Sequence, residues 1–317
     1  MPTSDDFVPV AVTSRSGVDE SVHFGAVVGL SPTGDIEFAA GNPSALVYPR
    51  SSTKPMQALA MVRAGLDLPS ELLALVCASH DGTDMHTSAA LRILASAGLD
   101  ERALGNTASM PLDVAAERAI IRAGGGPSSL SMNCSGKHSG MLATCVHNHW
   151  SLDSYLSVDH PLQAAITDTV DEVAGEHHAH IGVDGCGAPA HMISLVGLAR
   201  SFRAIATGEA GHGTRAIYEA MTTHPEMVGG ERRDVTILMR SLLGMMAKDG
   251  ADGVYAAAFP DGRAVAVKIA DGGDRARPPV MVAALARLGV DTTQVAPLVQ
   301  QSILGHGHPV GAVRAVF

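Results

Sequence analysis

The sequence predicts an α+β fold in which both ends of the chain build an antiparallel sheet around an inserted helical block. Short β-rich runs with turn residues between them occur near both termini, whereas the middle of the chain reads as helices. The stretch from Met56 to Leu66 supports this prediction. It is apolar except for Gln57 and Arg63, so we expect a helix that is buried in the middle of the domain.

The strand-like runs occupy the first forty residues and the last third of the chain. Turn residues at 31–35 and at Pro260-Asp261-Gly262 separate neighbouring runs. The predicted strands lie within residues 10–30 and at 36–40, 253–259, 263–270 and 310–316. We expect the early and late strands to meet in one sheet.

The helical pattern fills the rest of the chain. Helices are predicted at 56–66, 69–77, 87–97, 113–123, 141–149, 159–173, 192–207, 213–224, 234–246 and 276–288. The glycine-rich segment 124–129 is a flexible connection that does not divide two folding units. We therefore predict a flexible N-terminus at residues 1–8 and a single catalytic domain at residues 9–317.

Composition and charge restrict the class of partner. The chain has 317 residues and a formal net charge of −10, and nucleic acids and anionic membranes both require basic patches. No basic and apolar leader opens the sequence, and no apolar run approaches the length of a membrane span. We expect a soluble, cytoplasmic protein that binds neither nucleic acid nor membrane.

Ser51 and Lys54 stand at the head of the predicted buried helix. They are three residues apart, so both side chains lie on the same face. The positive end of a helix dipole favours a developing negative charge at Ser51, and a partly desolvated Lys54 could accept the hydroxyl proton. This Ser-x-x-Lys spacing indicates a serine acyl-transfer enzyme. The alternative is a helix cap beside a solvated lysine.

Ser79 and Lys268 follow in an order that resembles the penicillin-interacting serine hydrolases. In those enzymes a second serine after the first helix and a lysine on a late strand form a proton relay beside the nucleophile. Lys268 lies in the apolar run Ala264–Ile269, just before Asp271-Gly272-Gly273. The alternative is an outward-facing lysine that protects an edge strand. From these residues alone the two interpretations are balanced.

Two cysteines lie in glycine-rich loops beside other polar groups. Cys134 is followed by Lys137 and His138, and Cys186 is preceded by Asp184. Thiolates in such loops suit zinc. The alternative is two buried thiols that do not touch each other, and spacing alone favours it because neither segment has the Cys-x-x-Cys form of a structural zinc site.

The remaining cysteines and histidines have simpler interpretations. Four cysteines in a long cytosolic chain do not make a disulfide framework. Cys77 and Cys145 lie in apolar segments and are expected to be buried as small hydrophobic groups. The histidines at 177, 178 and 180 lie in a polar loop, and we expect them to be solvated and not to bind metal.

Several motifs together resemble the rhizobial-type L-asparaginase family, often labelled asparaginase II. The segments that carry the resemblance are Arg50-Ser51-Ser52-Thr53-Lys54-Pro55-Met56-Gln57, Ala78-Ser79-His80, Asn133 to His138, Asp159 to Gln163, Val183-Asp184-Gly185-Cys186-Gly187, Glu20 to Gly25 and Lys248 to Gly253. The resemblance covers roughly residues 8–290. The sequence departs from the family pattern at Asp81, where Ser-Gly is expected after Ala-Ser-His, and at Asp252, where Glu is expected.

The resemblance implies a fold similar to serine β-lactamases and glutaminases, and hydrolysis of L-asparagine to L-aspartate and ammonia. It implies a homodimer and a zinc ion near the active site. The expected catalytic residues are Ser51, Lys54, Ser79 and Lys268. The expected zinc ligands are Cys134, Lys137 and Cys186. The expected substrate-binding residues are Arg50, Asp184 and His138.

The mechanism that we expect begins with attack of Ser51 on the side-chain amide, with Lys54 taking the proton. Ser79 and Lys268 pass a proton to the departing ammonia, and zinc orients the substrate. The alternative functions within enzymes are a glutaminase or a penicillin-type serine acyl hydrolase. A catalytically silent zinc-binding or ligand-sensing protein is the alternative from another class. It is disfavoured because every proposed catalytic position is filled.

Overall fold

The structure is a computed structural model that describes residues 3–297 and 299–317. Its strands are β1 (Val8–Arg15), β2 (Val18–Leu30), β3 (Ile36–Ala40), β4 (Leu46–Val47), β5 (His180–Val183), β6 (Pro189–Ser194), β7 (Met246–Asp249), β8 (Val254–Ala258), β9 (Ala264–Ile269), β10 (Ser302–Gly305) and β11 (His308–Ala315). Its helices are α1 (Lys54–Arg63), α2 (Ser70–Val76), α3 (Asp84–Ser96), α4 (Val114–Arg122), α5 (Ser135–His147), α6 (Pro161–Ala174), α7 (Leu195–Thr207), α8 (Thr214–Thr223), α9 (Pro225–Val228), α10 (Asp234–Ser241) and α11 (Arg277–Arg287). Short 3-10 turns lie at Ser4–Asp6, Arg50–Thr53 and Glu101–Ala103.

The main sheet combines strands from both ends of the chain. Its order is β10-β11-β1-β2-β9-β8-β7, with β3 also paired to β2. All of these pairs are antiparallel. The long strand β2 makes this possible, because its first half pairs with β1 and its second half lies between β3 and β9. The predicted α+β class and the sheet built from both chain ends are confirmed.

The strands at the β7 end of the main sheet are covered on both faces. Every residue of β7 and β8 is buried, and alternate residues of a strand point to opposite faces, so neither face of these strands meets solvent. Helices α7 and α11 both pack against β8 and β9. The apolar runs of these strands are therefore part of one core that extends across the sheet into the helices.

Helix α1 lies inside the helical block, as its apolar sequence predicts. Residues 54–61 are all buried, and α1 packs against α2, α5, α6 and α8. It begins at Lys54, and Pro55 lies in its first turn, where a missing N–H costs nothing. The turn Arg50–Thr53 runs directly into it. The segment that carries Ser51 is therefore held against the middle of the fold.

Two predicted helices are wrong at one end because short strands occupy those residues. The helix expected at 192–207 begins at Leu195, since Pro189–Ser194 forms β6 in a small sheet of order β4-β6-β5. The helix expected at 234–246 ends at Ser241, and Met246 starts β7. Pairing partners elsewhere in the chain select the extended form at both places, and local propensity does not include that contribution.

The N-terminal residues that the structure describes have regular structure. Residues 4–6 of the N-terminus, which was expected to be flexible, form a 3-10 turn, and β1 begins at Val8; Met1 and Pro2 lie outside the described residues. Among residues 3–297 and 299–317, no helix combines the length and the apolar character that crossing a membrane requires.

Candidate functional site

Ser51 lies in the 3-10 turn that precedes α1, and it does not cap that helix. Its side chain is partly exposed, whereas the next residue, Ser52, is fully buried and donates a hydrogen bond of 3.0 Å to the Lys248 carbonyl. Gly250 permits this approach, because a Cβ there would lie 2.5 Å from the Pro49 carbonyl oxygen. The turn that carries Ser51 is thus packed against the end of β7.

Lys54 is buried, and its ammonium points to the loop that follows α2. Its Nζ lies 3.0 Å from Ser79 Oγ and also donates to the Ala78 carbonyl oxygen. The backbone N–H of Ser79 donates to the Val228 carbonyl oxygen at 3.0 Å, which fixes the loop from the other side. The structure therefore brings the predicted general base into contact with the second predicted serine.

His80 joins this loop to the loop before α5. Its Nδ1 accepts a hydrogen bond from the Gly82 N–H, so Nε2 carries the proton and donates to Ser135 Oγ at 2.9 Å. Its own N–H donates to the Asn133 carbonyl oxygen. Burial, with a smaller contribution from His86, keeps the pKa of His80 well below its ordinary value. The histidine is a neutral clamp between the two loops.

The predicted zinc ligands do come together across two loops. The Cys134 and Cys186 side chains share a small buried cluster with Ala188, and Lys137 Nζ lies 3.1 Å from Cys186 Sγ. The alternative of two thiols that do not touch each other is therefore wrong. Burial lowers the pKa of Lys137, but the Cys186 and Cys134 thiolates outweigh burial and raise it.

His138 extends this cluster. Its Nδ1 lies 2.7 Å from the Tyr155 hydroxyl, and its buried Nε2 has no hydrogen-bond partner among the described residues. Burial, assisted by the neighbouring Lys137 charge, lowers the pKa of His138 to about 4. The Lys54 ammonium in turn contributes to the lowered pKa of Cys134, after the larger effect of Cys186. The thiol cluster is therefore continuous with the serine–lysine cluster.

The donor atoms of this cluster fit zinc in their chemistry. Two thiols and a histidine nitrogen without a partner among the described residues converge in a buried place, and thiolate and imidazole are the donors that zinc prefers. Lys137 would have to lose its proton to join them, because an ammonium has no lone pair. Within residues 3–297 and 299–317, however, no group of three or more His, Cys, Asp or Glu side chains has the geometry of a metal site. Zinc stays a prediction.

Arg50 lies between two carboxylates at the mouth of the site. Its Nε donates to Asp184 Oδ1 at 2.8 Å, and Nη1 pairs with Asp252. The pKa of Asp184 is low, because Lys137 and Arg50 outweigh the opposing effect of burial. Arg50 and Asp252 both have left-handed backbone conformations, with φ of 54° and 56°. Such conformations are uncommon outside glycine and are concentrated at functional sites.

Lys268 lies on β9 and contacts Asp252, one of the two residues that pair with Arg50. Its Nζ donates to the Asp252 carbonyl oxygen, and burial lowers its pKa despite the nearby Asp252 charge. Strand β9 lies between β2 and β8, so the alternative of a lysine on an edge strand is wrong. Lys268 makes no hydrogen bond to Ser51 or Ser79 within the part of the chain that the structure describes. It joins the site through Asp252.

A buried ionic network that we did not predict lies next to the turn that carries Ser51, which it contacts through Ser52 and Lys248. Lys248 is fully buried, and its Nζ donates to Asp249 Oδ1 at 2.5 Å; burial lowers its pKa to about 8. Arg233 lies 2.5 Å from Asp249 Oδ2 and 3.2 Å from Asp81 Oδ1. The pKa of Asp249 is low because Lys248 and the arginines outweigh the effect of burial.

A signal for this network was present in the sequence. The chain has only four lysines, and three of them were already predicted site residues. Lys248 is the fourth, and it lies in the segment Lys248 to Gly253, which also supplies Asp252. All four lysines are therefore grouped around one site, and the positive charge of the remaining surface comes from arginine.

Comparison with known families agrees with this geometry. The family model described as L-asparaginase II matches residues 11–315, nearly the whole chain. The chain belongs to the L-asparaginase II family. The resemblance read from the motifs is confirmed. The comparison with curated proteins found no match.

Solved structures with detectable similarity differ strongly from this chain in sequence. A β-lactamase from Mycobacterium bovis has 16% identity and a TM-score of 0.44, with 83% of this chain and 94% of that chain covered. A proposed β-lactamase from Bacteroides dorei has 14% identity and a TM-score of 0.47, with coverages of 83% and 92%. Mglu in its native form has 16% identity and a TM-score of 0.43, with 84% of this chain covered. The chain spans 63% of the length of Mglu.

Proposed function

We propose that the protein hydrolyses the side-chain amide of L-asparagine through a serine ester, with lysine as the base. The observation that carries this proposal is the buried Lys54 ammonium, 3.0 Å from Ser79 Oγ and one turn from the partly exposed Ser51. An acyl-transfer site needs a nucleophile that substrate can reach and a base behind it. Membership of the L-asparaginase II family supports the choice of amide.

In the proposed mechanism Ser51 Oγ attacks the amide carbon while Lys54 Nζ takes its proton. Backbone N–H groups at the start of α1 stabilise the oxyanion. Ser79, which is hydrogen-bonded to Lys54, passes the proton to the amide nitrogen, and ammonia leaves as the C–N bond breaks. Water then cleaves the ester on Ser51, which releases L-aspartate and restores the serine. Lys268 supplies a second positive charge to this relay.

The row of charges Asp184, Arg50 and Asp252 suits an amino-acid substrate. In this row a cation lies between two anions. The α-carboxylate of asparagine would pair with Arg50, whose planar fork suits carboxylates, and the α-ammonium would pair with Asp184. His138, which lies in the thiol cluster, would also contact the substrate. Replacing either Arg50 or Asp184 with a neutral residue should therefore raise KM for asparagine.

The same cluster supports zinc as a structural partner of the site. Cys134, Lys137 and Cys186 would hold the ion, and the unpaired His138 Nε2 lies in the same cluster. A bound zinc ion supplies positive charge and orders the two loops that carry its ligands. The serine–lysine steps above belong to this chain's own side chains and do not depend on it.

Ammonia release from a panel of substrates tests the proposal directly. Asparagine, glutamine and a chromogenic β-lactam are compared with the purified full-length protein. Turnover of asparagine above both others supports the proposal. Preference for glutamine would make the protein a glutaminase, and cleavage of the β-lactam alone would make it a penicillin-type acyl hydrolase. Trapping of an aspartyl ester on Ser51 by acid quench and mass spectrometry tests the mechanism separately.

A further inference from the structure

A second polar pocket lies where α10 and α11 begin, and it shares no lining residue with the cluster around Ser51. Its volume is about 430 Å³. Its charged lining residues are Arg232, Arg233, Asp234, Asp274, Arg275 and Arg277. Asp81 and Asp249 pair with Arg233 and Arg277 from outside this lining, so Arg232 and Arg275 carry the unpaired positive charge among the described residues, in a chain whose formal net charge is −10. A basic concavity in an acidic protein concentrates anions.

Two residues that line the pocket each have a buried polar atom without a hydrogen-bond partner among the described residues, one a donor and one an acceptor. Arg277 is only 6% exposed, and its Nε has no hydrogen-bond partner among the described residues, although Nη1 donates to the Gly250 carbonyl oxygen at 2.8 Å. Asp234 Oδ2 is also buried and has no partner within the part of the chain that the structure describes, and the other oxygen of this carboxylate lies 3.9 Å from Arg277 Nη2. Buried polar groups rarely lack a hydrogen-bond partner, so such atoms call for a bound molecule.

Two further arginines contribute charge at the rim. Arg232 and Arg275 are exposed, and neither forms an ion pair with another described residue, whereas Arg233 and Arg277 are paired with Asp81, Asp249 and Asp274. Helix α10 begins at this pocket, and the positive end of its dipole adds to the attraction for an anion.

We propose that this pocket binds a phosphate group, as inorganic phosphate or as a phosphate monoester. Monohydrogen phosphate carries two negative charges, which match the two unpaired arginines at the rim, Arg232 and Arg275. Its unprotonated oxygens accept hydrogen bonds from Arg277 Nε and from the rim arginines, and its P–OH group donates to Asp234 Oδ2. Sulfate has the same shape and charge but no proton near neutral pH, so its oxygens would face the Asp234 carboxylate without a hydrogen bond. The pocket should therefore prefer phosphate to sulfate.

The position of the pocket makes this site independent of the proposed reaction. Arg233 connects the pocket to Asp81, two residues after Ser79, and Arg277 connects it to Gly250. The pocket thus borders the buried ionic network and has no lining residue in common with the cluster around Ser51. Phosphate binding can be measured without turnover, so its failure and the failure of the proposed hydrolysis are separate results.

Isothermal titration calorimetry of the full-length protein with inorganic phosphate, at constant ionic strength, tests the proposal. We expect one saturable site and binding of sulfate that is at least about tenfold weaker. Arg275→Ala and Arg232→Ala should each weaken phosphate binding about tenfold, because each removes one charge-assisted hydrogen bond. Arg240→Ala is the matched control. It removes an arginine from α10 that pairs with Glu226 and Glu231 outside the pocket, and it should leave phosphate binding unchanged.

Asp234→Asn tests the role of the acceptor. An amide can donate to sulfate, so this variant should lose most of the preference for phosphate. Absence of saturable phosphate binding, or an equal loss in Arg240→Ala and Arg275→Ala, overturns the site. Equal affinity for phosphate and sulfate in the unaltered protein overturns the proposed hydrogen bond to Asp234. A monoester such as glycerol phosphate that binds more tightly than inorganic phosphate identifies the ester as the ligand class, and weaker binding identifies the free ion.

Discussion

The Nζ of Lys54 lies 3.0 Å from Oγ of Ser79, twenty-five positions later in the chain. Lys54 is buried in the first turn of α1, and Ser79 lies just beyond the end of α2. The contact exists because these two helices pack together in the core. Lys54 therefore contacts Ser79 directly, and Ser51 lies one turn before Lys54 in the chain.

Replacement of Ser51 with Ala should abolish asparagine turnover, because the proposed ester cannot form. The side chain is partly exposed and makes no hydrogen bond within the described residues, so the thermal midpoint should change little. Ammonia release and thermal unfolding are measured together. Ser52→Ala is the contrasting variant, because it removes the buried hydrogen bond to Lys248 and should mainly lower stability. Full activity of Ser51→Ala would move the nucleophile to Ser79.

Replacement of Lys268 with Met should reduce kcat by about a hundredfold or more if Lys268 belongs to the proton relay. The aliphatic stem is kept, and only the ammonium that donates to Asp252 is lost. Lys268→Arg keeps the charge and should retain more activity than Lys268→Met. Steady-state ammonia release gives kcat and KM for both. An unchanged kcat in Lys268→Met would remove Lys268 from the mechanism.

Purified protein should contain about one zinc ion per chain if the thiol cluster holds it, as elemental analysis can measure. Cys134→Ser and Cys186→Ser should each lose the metal, because thiolate is the preferred zinc ligand of this set. Cys77→Ser and Cys145→Ser are the matched controls. Burial raises the pKa of these two thiols to about 12 and about 11, so they stay protonated and should not affect zinc.

Removal of zinc should raise KM for asparagine more than it lowers kcat, because the proposed role of the ion is to order the loops. A loss mainly in kcat would assign zinc to the chemical step. Metal-free protein with full activity and unchanged stability would leave two buried cysteines in contact with Lys137.

Acid should destabilise the protein through His191, which is 1% exposed. The Thr167 hydroxyl donates to the Gln163 carbonyl oxygen, so it accepts from His191 Nε2, and Nδ1 has no partner among the described residues. Burial, with a smaller effect of the facing His178 and against that of Asp171, lowers the pKa of His191 to about 4.

The unfolded chain therefore takes up a proton on this histidine near pH 6.5, and the folded protein does so only near pH 4. Its contribution to stability is complete above pH 6.5 and is lost as pH falls to 4, by up to about 3 kcal/mol. His191→Gln should flatten the dependence of the free energy of unfolding on pH across this window. Urea unfolding at several pH values measures it, with the exposed His308→Gln as control. An equal slope in His191→Gln and the unaltered protein would contradict the prediction.

Local patterns predicted several elements well. The apolar run after Pro55 identified α1, and β-rich runs bounded by turn residues identified β2, β8 and β9. The strands β6 and β7 carry no such signal. They become strands because a partner strand satisfies their backbone hydrogen bonds, which a neighbouring stretch of sequence cannot reveal.

The sequence by itself determined which chemical groups the site contains. The serine–lysine spacing, the cysteine motifs and the other family segments were sufficient to identify the family and to list candidate residues. Spacing reports only neighbours within a turn of helix or along a strand. The tertiary structure decided which groups meet: Lys54 with Ser79, Lys137 with Cys186, and Lys268 with Asp252. These contacts join loops whose distance depends on how α1, α2 and α5 pack and on the register of β8 and β9, and packing is a property of the whole core.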